Sequence, residues 1–296
     1  MKVLNFGSLN LDYVYNVEHF VREGETVLST DMNVFCGGKG LNQSVALAKA
    51  GAKVYHAGAV GTLDGGTLIK MLESAGVNTV YIKKYNMSSG HAIIQKNIEG
   101  NNCILLYGGA NQNISQEMID EVLKNFESGD VLLLQNEISN LKYLIERAYK
   151  MGMRIVLNPS PVNKQISDCD LNKVEYLILN EIEAADILGI DKKSGDILID
   201  RLSENFPDTK IVLTLGENGS IYLYKGQKIK QEIYKTKVVD TTAAGDTFTG
   251  YFIAGVSSGI SVEMSLKQAA KAASLAVSKK GASPSIPFIE EVLKGL

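Results

Sequence analysis

The segment Asp240-Thr-Thr-Ala-Ala-Gly-Asp-Thr247 runs directly into the apolar segment Phe248-Thr-Gly-Tyr-Phe-Ile-Ala254. This pattern predicts a loop of small residues that begins an apolar helix, with the carboxylate of Asp246 in the first helical turn. Such a turn presents backbone N–H groups that have no acceptor within the helix, together with the positive end of the helix dipole, so it can hold a negative charge. A helix with a favourable acidic first turn would give the same pattern without any catalytic role.

The residues just before Asp246 suit a phosphoryl group as well as a helix start. Three of them have little or no side chain: Ala243, Ala244 and Gly245. They let a phosphoryl group approach the backbone closely, while Asp246 is placed to accept a proton from an attacking hydroxyl. Because phosphoryl transfer depends on alignment and charge neutralisation more than on covalent participation of the protein, this segment is a candidate catalytic centre.

The composition is that of an ordinary globular enzyme. The chain has 296 residues, of which 45% are hydrophobic and 21% charged, and its formal net charge is −3. We therefore expect no nucleic-acid partner and no membrane association, since no apolar stretch reaches the roughly 18 residues of a membrane-spanning helix. The cysteines, Cys36, Cys103 and Cys169, are odd in number and lack metal-ligand spacing, which favours a reducing, cytoplasmic location.

Short apolar runs alternate with helix-length amphipathic segments through the middle of the chain. The runs lie at 131–134, 154–157, 175–179 and 211–214, and the helical patterns between them include 139–151 and a segment through 185. Continuous apolar strands separated by helices predict an α/β fold, with a mainly parallel central sheet and helices on both faces.

Two early regions, about 12–36 and 89–109, break this alternation. They contain strand-like stretches with no helix between the partners, at 26–29 with 33–36 and at 91–97 with 103–107. The segment 98–102 is a suitable hairpin connection. These stretches predict either a small β-sheet that protrudes from the main body or an antiparallel edge of the main sheet.

Six segments resemble, in sequence and in order, the signatures of the ribokinase family of ATP-dependent sugar kinases. They are Gly37-Gly-Lys-Gly-Leu-Asn-Gln43, Asn158-Pro-Ser-Pro161, Asn180-Glu-Ile-Glu183, Thr214-Leu-Gly-Glu-Asn-Gly219, residues 240–250 and Gly281-Ala-Ser-Pro-Ser-Ile-Pro287. The resemblance covers essentially the full chain and implies one ribokinase-like α/β domain over residues 1–296. It also implies that the small β-sheet is a lid over a sugar, which in this family often forms a homodimer interface.

The resemblance implies that a set of residues surrounds the sugar, in addition to Asp246: Asn10, Asp12, Gly38, Lys39, Asn42 and Glu137. A carboxylate such as Asp12 can accept two hydrogen bonds from vicinal hydroxyls, and Glu137 follows a buried-looking strand at the end where open α/β sheets bind ligands. The glycines at 37 and 38 allow close backbone approach, although a tight strand-to-helix turn would need them too. They do not form a P-loop, because no Ser or Thr follows Lys39.

A second set is implied to bind the nucleotide: Asn180, Glu183, Thr214, Gly216, Gly219 and Gly245. Asn180 and Glu183 lie three residues apart, so they share one face of a helix start. Such a pair can organise Mg²⁺ through its water shell, and it can equally form an N-cap with an acidic third residue. Both interpretations stay open at this point.

Members of the family often bind a monovalent cation, usually K⁺, beside the anion hole. By position, the resemblance implies a set of oxygen ligands for it: the side chain of Asp240, the carbonyls of Thr242, Ala276, Lys279 and Gly281, and the hydroxyl of Ser285. Hard oxygen ligands suit such an ion. The alternative is that residues 281–284 only form a helix-terminating turn.

We therefore expect an ATP-dependent sugar kinase in which Asp246 deprotonates a primary hydroxyl and residues 243–246 form an anion hole, with Mg²⁺ and K⁺ as metal cofactors. D-Ribose, giving ribose 5-phosphate, is the leading substrate. Another sugar, a nucleoside, or a non-catalytic sugar-binding role are the alternatives. His91 stands where this family usually has a small or aliphatic residue, so it could alter sugar recognition or lie on the outer side of the lid.

Overall fold

The computed structural model describes residues 1–191 and 193–296. Its strands are β1 (Val3–Phe6), β2 (Asn10–Asn16), β3 (Asp31–Gly37), β4 (Val54–Gly61), β5 (Asn78–Tyr85), β6 (Gly90–Lys96), β7 (Asn102–Tyr107), β8 (Val131–Gln135), β9 (Arg154–Asn158), β10 (Tyr176–Asn180), β11 (Lys210–Thr214), β12 (Ser220–Tyr224) and β13 (Gln227–Gln231). Its α-helices are α1 (Lys39–Lys49), α2 (Gly66–Ser74), α3 (Gln116–Leu123), α4 (Leu141–Lys150), α5 (Lys164–Ser167), α6 (Glu181–Leu188), α7 (Gly195–Asn205), α8 (Ala244–Ser257), α9 (Val262–Val277) and α10 (Ile289–Leu293). Among the described residues, no helix is both long enough and apolar enough to cross a membrane.

The main sheet of the described chain has nine strands in the order β13-β12-β11-β10-β9-β8-β1-β4-β5. The pairings from β11 to β5 are parallel, and the two pairings that add β12 and β13 are antiparallel. The predicted α/β fold with a mainly parallel sheet is therefore confirmed. The four apolar runs in the middle of the chain correspond to β8, β9, β10 and β11.

Helices bury both faces of this sheet. Alternate residues of the central strand β8 enter two different apolar clusters, with Leu132 and Leu134 in one and Val131 and Leu133 in the other. Helices α3, α4, α6 and α7 contribute to the first cluster, and helices α1, α2, α8 and α9 to the second. Because each face is covered, the central strands appear in the sequence as unbroken apolar runs and not as an alternating pattern.

A separate four-stranded sheet, with the order β3-β2-β6-β7, forms the lid within the described residues. The small protruding sheet predicted from the sequence is confirmed, but the prediction of one strand was wrong. Residues 26–29 form no strand. Instead, β2 lies beside β3 and also pairs with β6, so it takes the position that 26–29 was expected to occupy.

His91 lies on the face of the lid opposite to Asp12. The register pairs Asp12 with Ala92, so these two side chains share a face and His91 points to the other one. There its ring lies 5.9 Å from the ring of Tyr13 and 4.9 Å from that of Tyr107, measured between ring centroids. The structure thus favours the alternative that places His91 on the outer side, away from the predicted sugar residues.

Helices α1 and α8 pack closely at Gly250, where an added Cβ would overlap the Cβ of Ala46 and lie 2.9 Å from the backbone nitrogen of Leu47. We expect Gly250→Ala to lower the free energy of unfolding by about 1–3 kcal/mol, because an extra methyl group in a filled core forces its neighbours apart. The control is Gly66→Ala in α2, where nothing lies within 4 Å of an added Cβ. Urea denaturation should show unchanged or slightly higher stability for the control. Equal effects of both substitutions would contradict the close contact between α1 and α8.

Candidate active site

A cavity of about 270 Å³ opens at the carboxyl ends of β9, β10 and β11, where helix α8 begins. Parallel strands end at the same edge of a sheet, and open α/β sheets bind ligands there. Many of the residues predicted from the sequence line this cavity: Lys39, Asn180, Glu183, Thr214, Ala243, Ala244, Gly245 and Asp246. The fold therefore brings distant parts of the chain to one site.

The start of α8 has the geometry expected of an anion-binding turn. Ala243 caps the helix in the left-handed region, with φ 60° and ψ 13°, a conformation that costs an alanine roughly 1–2 kcal/mol. The N–H of Ala244 donates to the carbonyl oxygen of Thr241 at 3.2 Å. The N–H groups of Gly245 and Asp246 lie in the first turn, where helix geometry supplies no acceptor. The predicted helix start with Asp246 in its first turn is confirmed.

The side chain of Asp246 is almost fully buried, with 8% of its residue surface exposed. Its Oδ1 accepts a hydrogen bond from Gln43 Nε2 at 2.9 Å, and its Oδ2 accepts one from Asn42 Nδ2 at 3.0 Å. Both donors are neutral amides of helix α1. Asn42, which was predicted to contact the sugar, therefore lies directly against Asp246.

The carboxylates of Glu137 and Asp246 lie near the ammonium group of Lys39, and the carboxylate of Asp12 lies near those of Glu137 and Asp246. Burial raises the pKa of Asp12 to about 7, and the charges of Glu137 and Asp246 add to this rise. Burial also raises the pKa of Glu137, although Lys39 opposes the rise. For Lys39, burial lowers the pKa, but nearby carboxylates outweigh it, so the pKa is raised and the ammonium stays charged. With a pKa of about 7, Asp12 changes charge near neutral pH.

Glu137 and Asn10 are held by groups from several elements. Oε2 of Glu137 accepts a hydrogen bond from the backbone N–H of Lys39 at 3.1 Å and another from the hydroxyl of Ser8. Oδ1 of Asn10 accepts a hydrogen bond from Asn111 Nδ2 at 2.7 Å. Since its oxygen is used in this way, Asn10 offers its own N–H groups as donors.

The glycines at the end of β3 serve both the turn and the site. Gly38 has a φ of +89°, which residues with a side chain rarely adopt. At Gly37, an added Cβ would overlap the carboxylate of Asp12. The tight strand-to-helix turn is therefore confirmed at Gly38, and Gly37 leaves room for the side chain of Asp12, whereas contact of these glycines with a sugar stays a prediction.

Asn180 and Glu183 form a capping box at the start of α6. Asn180 Oδ1 accepts hydrogen bonds from the N–H groups of Ile182 and Glu183, both at 2.9 Å, and the N–H of Asn180 donates to Glu183 Oε2 at 3.0 Å. The N-cap alternative is thus confirmed, and both residues also line the cavity. Thr214 lines it too, whereas the glycines of the turn at 216–219 are not among its lining residues.

The two segments predicted to hold a monovalent cation are in contact. Asp240 Oδ1 accepts a hydrogen bond from the N–H of Thr242 at 3.0 Å, and Oδ2 accepts one from the N–H of Gly281 at 3.2 Å. Burial raises the pKa of Asp240, but these hydrogen bonds outweigh it, so the pKa is lowered and the side chain is anionic. Ser285 donates its hydroxyl hydrogen to the carbonyl oxygen of Ala282 at 2.7 Å, which leaves oxygen lone pairs on its hydroxyl. This set of oxygen atoms suits a hard cation.

Sequence reasoning missed several buried polar residues that hold the predicted ones. Gln43, Asn111 and Gln135 are almost fully buried. A signal for Gln43 was present, because it lies in a row of three polar residues, 42–44, between the apolar residues Leu41 and Val45 of helix α1. Asn111 and Gln135 gave no such signal, since a lone amide in a loop or at a strand end is more often exposed.

Comparisons with known proteins agree with this geometry. A family model described as "pfkB family carbohydrate kinase" matches residues 1–289. The chain is 32% identical over 297 residues to the ribokinase of Haemophilus influenzae, with 98% of this chain and 96% of that protein covered. It is also 32% identical over 302 residues to the deoxyribokinase of Salmonella typhi, with 98% and 97% covered. The solved structure of Arabidopsis thaliana ribokinase complexed with ribose and ATP is similar with a TM-score of 0.87 at 30% identity, covering 99% of this chain and 97% of that one.

These similarities extend over the main sheet, the lid and the cavity together. The family model includes all of the segments that line the cavity. The relatives are similar along nearly their whole length and not only at single motifs. The chain therefore belongs to the pfkB family of carbohydrate kinases and is a phosphotransferase that acts on a sugar hydroxyl.

Proposed function

We propose that this chain transfers the γ-phosphate of ATP to the primary hydroxyl of D-ribose, giving ribose 5-phosphate. The observation that carries the proposal is the position of Asp246 between two groups of residues. On one side are Asp12 and Glu137, whose charges interact with each other and with the charge of Asp246. On the other is the cavity lined by Asn180 and Thr214. A hydroxyl bound on the first side and a phosphoryl group bound on the second would meet at Asp246.

In this mechanism, Asp246 accepts the proton of the primary hydroxyl as the hydroxyl oxygen attacks the γ-phosphorus and ADP leaves. The N–H groups of Gly245 and Asp246, together with the dipole of α8, stabilise the charge on the transferred group. The charged ammonium of Lys39 lies close enough to act on Asp246 and adds positive potential. A positioned base and an anion hole each typically contribute about 10²–10⁴-fold to the rate.

Glu183 in the cavity, and oxygen atoms of the segments around Asp240 and Ser285, suit the two metal ions expected from the sequence. Glu183 would hold Mg²⁺ through water, since Mg²⁺ keeps several waters and takes few direct protein ligands. Asp240, the backbone carbonyls of the two adjoining segments and the hydroxyl of Ser285 would hold K⁺. When bound, these ions supply positive charge near the phosphates.

The similarity to a deoxyribokinase makes 2-deoxyribose the second candidate substrate. The relative from Salmonella typhi is as similar to this chain, at 32% identity, as the ribokinase from Haemophilus influenzae. The carboxylate of Asp12 favours ribose, because its two oxygens suit the vicinal hydroxyls at C2 and C3. A buried acceptor would lose a partner with 2-deoxyribose, which lacks one of these hydroxyls.

The function is tested by measuring ATP consumption with pentoses, 2-deoxyribose, hexoses and nucleosides, with and without K⁺. We expect turnover of ribose that K⁺ increases, and a fall in kcat of about 10²–10⁴-fold in Asp246→Asn, with ribose binding retained in calorimetry. Asp208→Asn, at a side chain that is 81% exposed, is the control and should match the wild type. A higher kcat/KM for 2-deoxyribose would assign that sugar instead. Ribose binding without any turnover would favour the non-catalytic alternative.

Sugar affinity should depend on pH through Asp12. Its pKa is raised to about 7, and only the ionised carboxylate accepts hydrogen bonds from two hydroxyls with both oxygens. The ribose affinity should therefore rise with pH up to about 7 and fall by up to tenfold per pH unit below it. Calorimetry between about pH 5.5 and 8.5 measures this, and Asp12→Asn should remove the dependence that Asp12 causes. A pH-independent affinity of the wild-type protein would contradict the role of Asp12.

We also infer that two copies pair through the lid. The lid exposes large apolar side chains on both of its faces. Met32, Val34, Ile93, Leu105 and Tyr107 lie on the face of His91, and Phe35, Ile104 and Leu106 lie on the face of Asp12. Exposed apolar surface of this extent typically marks an interface. Because each copy carries the same surface, a two-fold symmetric pair would bury it on both.

Light scattering at micromolar concentration should give the mass of a dimer. Leu105, in β7, is 68% exposed, and we expect Leu105→Lys to produce monomers, because an ammonium group is costly to bury without a partner. Leu63→Lys, at a side chain outside the lid that is 97% exposed, should remain dimeric. A monomeric mass for the wild-type protein would contradict the inference.

A further inference from the structure

Gln43 is fully buried on helix α1 and is not among the residues that line the cavity. Its Nε2 nevertheless donates hydrogen bonds to Asp246 Oδ1 at 2.9 Å and to Asn158 Oδ1 at 3.1 Å. An amide has a donor end and an acceptor end of nearly the same size, so a glutamine beside a carboxylate can either hold it or repel it. The state of Asp246 therefore depends on which end of Gln43 faces it.

A chain of buried amides fixes the orientation of Gln43. It begins at the backbone carbonyl of Gly40, which can only accept, and which accepts from Asn5 Nδ2 at 2.7 Å. Asn5 Oδ1 consequently faces Gln135, whose Nε2 donates to it at 3.0 Å and to Gln43 Oε1 at 2.6 Å. Because its oxygen is held by Gln135, Gln43 directs its N–H₂ group to Asp246.

A second anchor comes from Asn158. Its Nδ2 donates to the carbonyl oxygen of Ile178 at 2.9 Å, so its Oδ1 is left to accept from Gln43. Gln135 Oε1, in contrast, is buried without a hydrogen-bond partner among the described residues. A buried oxygen without a partner is unfavourable. Gln135 nevertheless retains this orientation, because both hydrogens of its Nε2 are donated, one to Asn5 and one to Gln43. The orientation of Gln43 is thus set from two independent sides.

Asn42 is held in a similar way at the other oxygen of the carboxylate. Its Nδ2 donates to Asp246 Oδ2 at 3.0 Å, and its Oδ1 accepts a hydrogen bond from Ser283 Oγ at 2.8 Å. Each oxygen of Asp246 therefore has one amide donor, and the oxygen of each of these amides is bonded to a further residue. Since a carboxylate oxygen has about two lone-pair sites, one site on each oxygen stays available for a substrate hydroxyl.

We propose that Gln43 is a positioning residue for Asp246, and that the hydrogen-bonded chain from Asn5 through Gln135 sets its orientation. The inference rests on the proposed function, because it takes Asp246 as the base. A carboxylate held at a fixed angle meets the primary hydroxyl in a geometry suited to proton transfer, whereas a carboxylate free to rotate does so less often. Gln43 therefore acts on kcat and has little effect on ligand affinity.

The first test is Gln43→Glu, which keeps the shape of the side chain but replaces the amide donor with a carboxyl oxygen. We expect kcat to fall by about 10²-fold, the effect of a misplaced reacting group, while KM for sugar and ATP changes by less than about threefold. Gln135→Glu removes the donor to Gln43 and should lower kcat by about tenfold. Gln268→Glu, at a buried position on α9, is the control and should keep the wild-type kcat. Unchanged kcat in folded Gln43→Glu and Gln135→Glu, or a rise in KM without a fall in kcat, would overturn the proposal.

The midpoint temperature of thermal unfolding tests the contact between Gln43 and Asp246 without an activity measurement. Gln43→Glu places two carboxyl groups side by side, so we expect a lower midpoint than that of the wild type. Adding Asp246→Asn supplies an amide that can donate to the carboxyl group at position 43 and accept from Asn42, so the midpoint should recover. The kcat should stay at the level of Asp246→Asn alone.

If the midpoint does not recover, or if the effects of the two substitutions on kcat multiply, Gln43 does not act through Asp246. A wild-type protein that phosphorylates none of the tested sugars would reject the proposed function. In that case the midpoints of the single and double variants still decide whether Gln43 holds Asp246.

Discussion

Burial of the Asp246 carboxylate is the constraint on which the rest of the site depends. A carboxylate removed from water is stable only where hydrogen-bond donors or opposite charges replace the water, and here the donors come from helix α1. They reach Asp246 only because α1 and α8 lie close together, an approach that the small residues Ala46 and Gly250 permit. The packing of two core helices and the geometry of the cavity are therefore set by the same contact.

The same region concentrates negative charge. Desolvation of Asp12, with the neighbouring charges of Glu137 and Asp246, raises the pKa of Asp12 to about 7, so a proton on Asp12 relieves part of the repulsion. A sugar that donates hydroxyl hydrogens to the ionised form of Asp12 would displace that proton. In the proposed function, sugar binding thus changes the charge of the site on the side where the hydroxyl is activated, while Lys39 keeps its positive charge.

The sequence was sufficient for the parts of the structure that are local or repeated. Unbroken apolar runs predicted β8 to β11 because strands buried on both faces need apolar residues at every position, and the small residues before Asp246 predicted the start of α8. The prediction of a strand at 26–29 was wrong, because the extended character of a segment does not show whether that segment or β2 pairs with β3. Gln43 was missed as a site residue because its role requires Asp246, which lies 203 residues away in the chain.

The most direct test of the central role of Asp246 is a crystal structure of the protein with ribose and a non-hydrolysable ATP analogue. We predict a primary hydroxyl oxygen within about 2.6–3.2 Å of an Asp246 carboxylate oxygen, with the γ-phosphate at the N–H groups of Gly245 and Asp246 and Gln43 Nε2 still bonded to Asp246. A primary hydroxyl whose nearest carboxylate is Asp12 or Glu137, or a γ-phosphate bound away from the start of α8, would contradict this role.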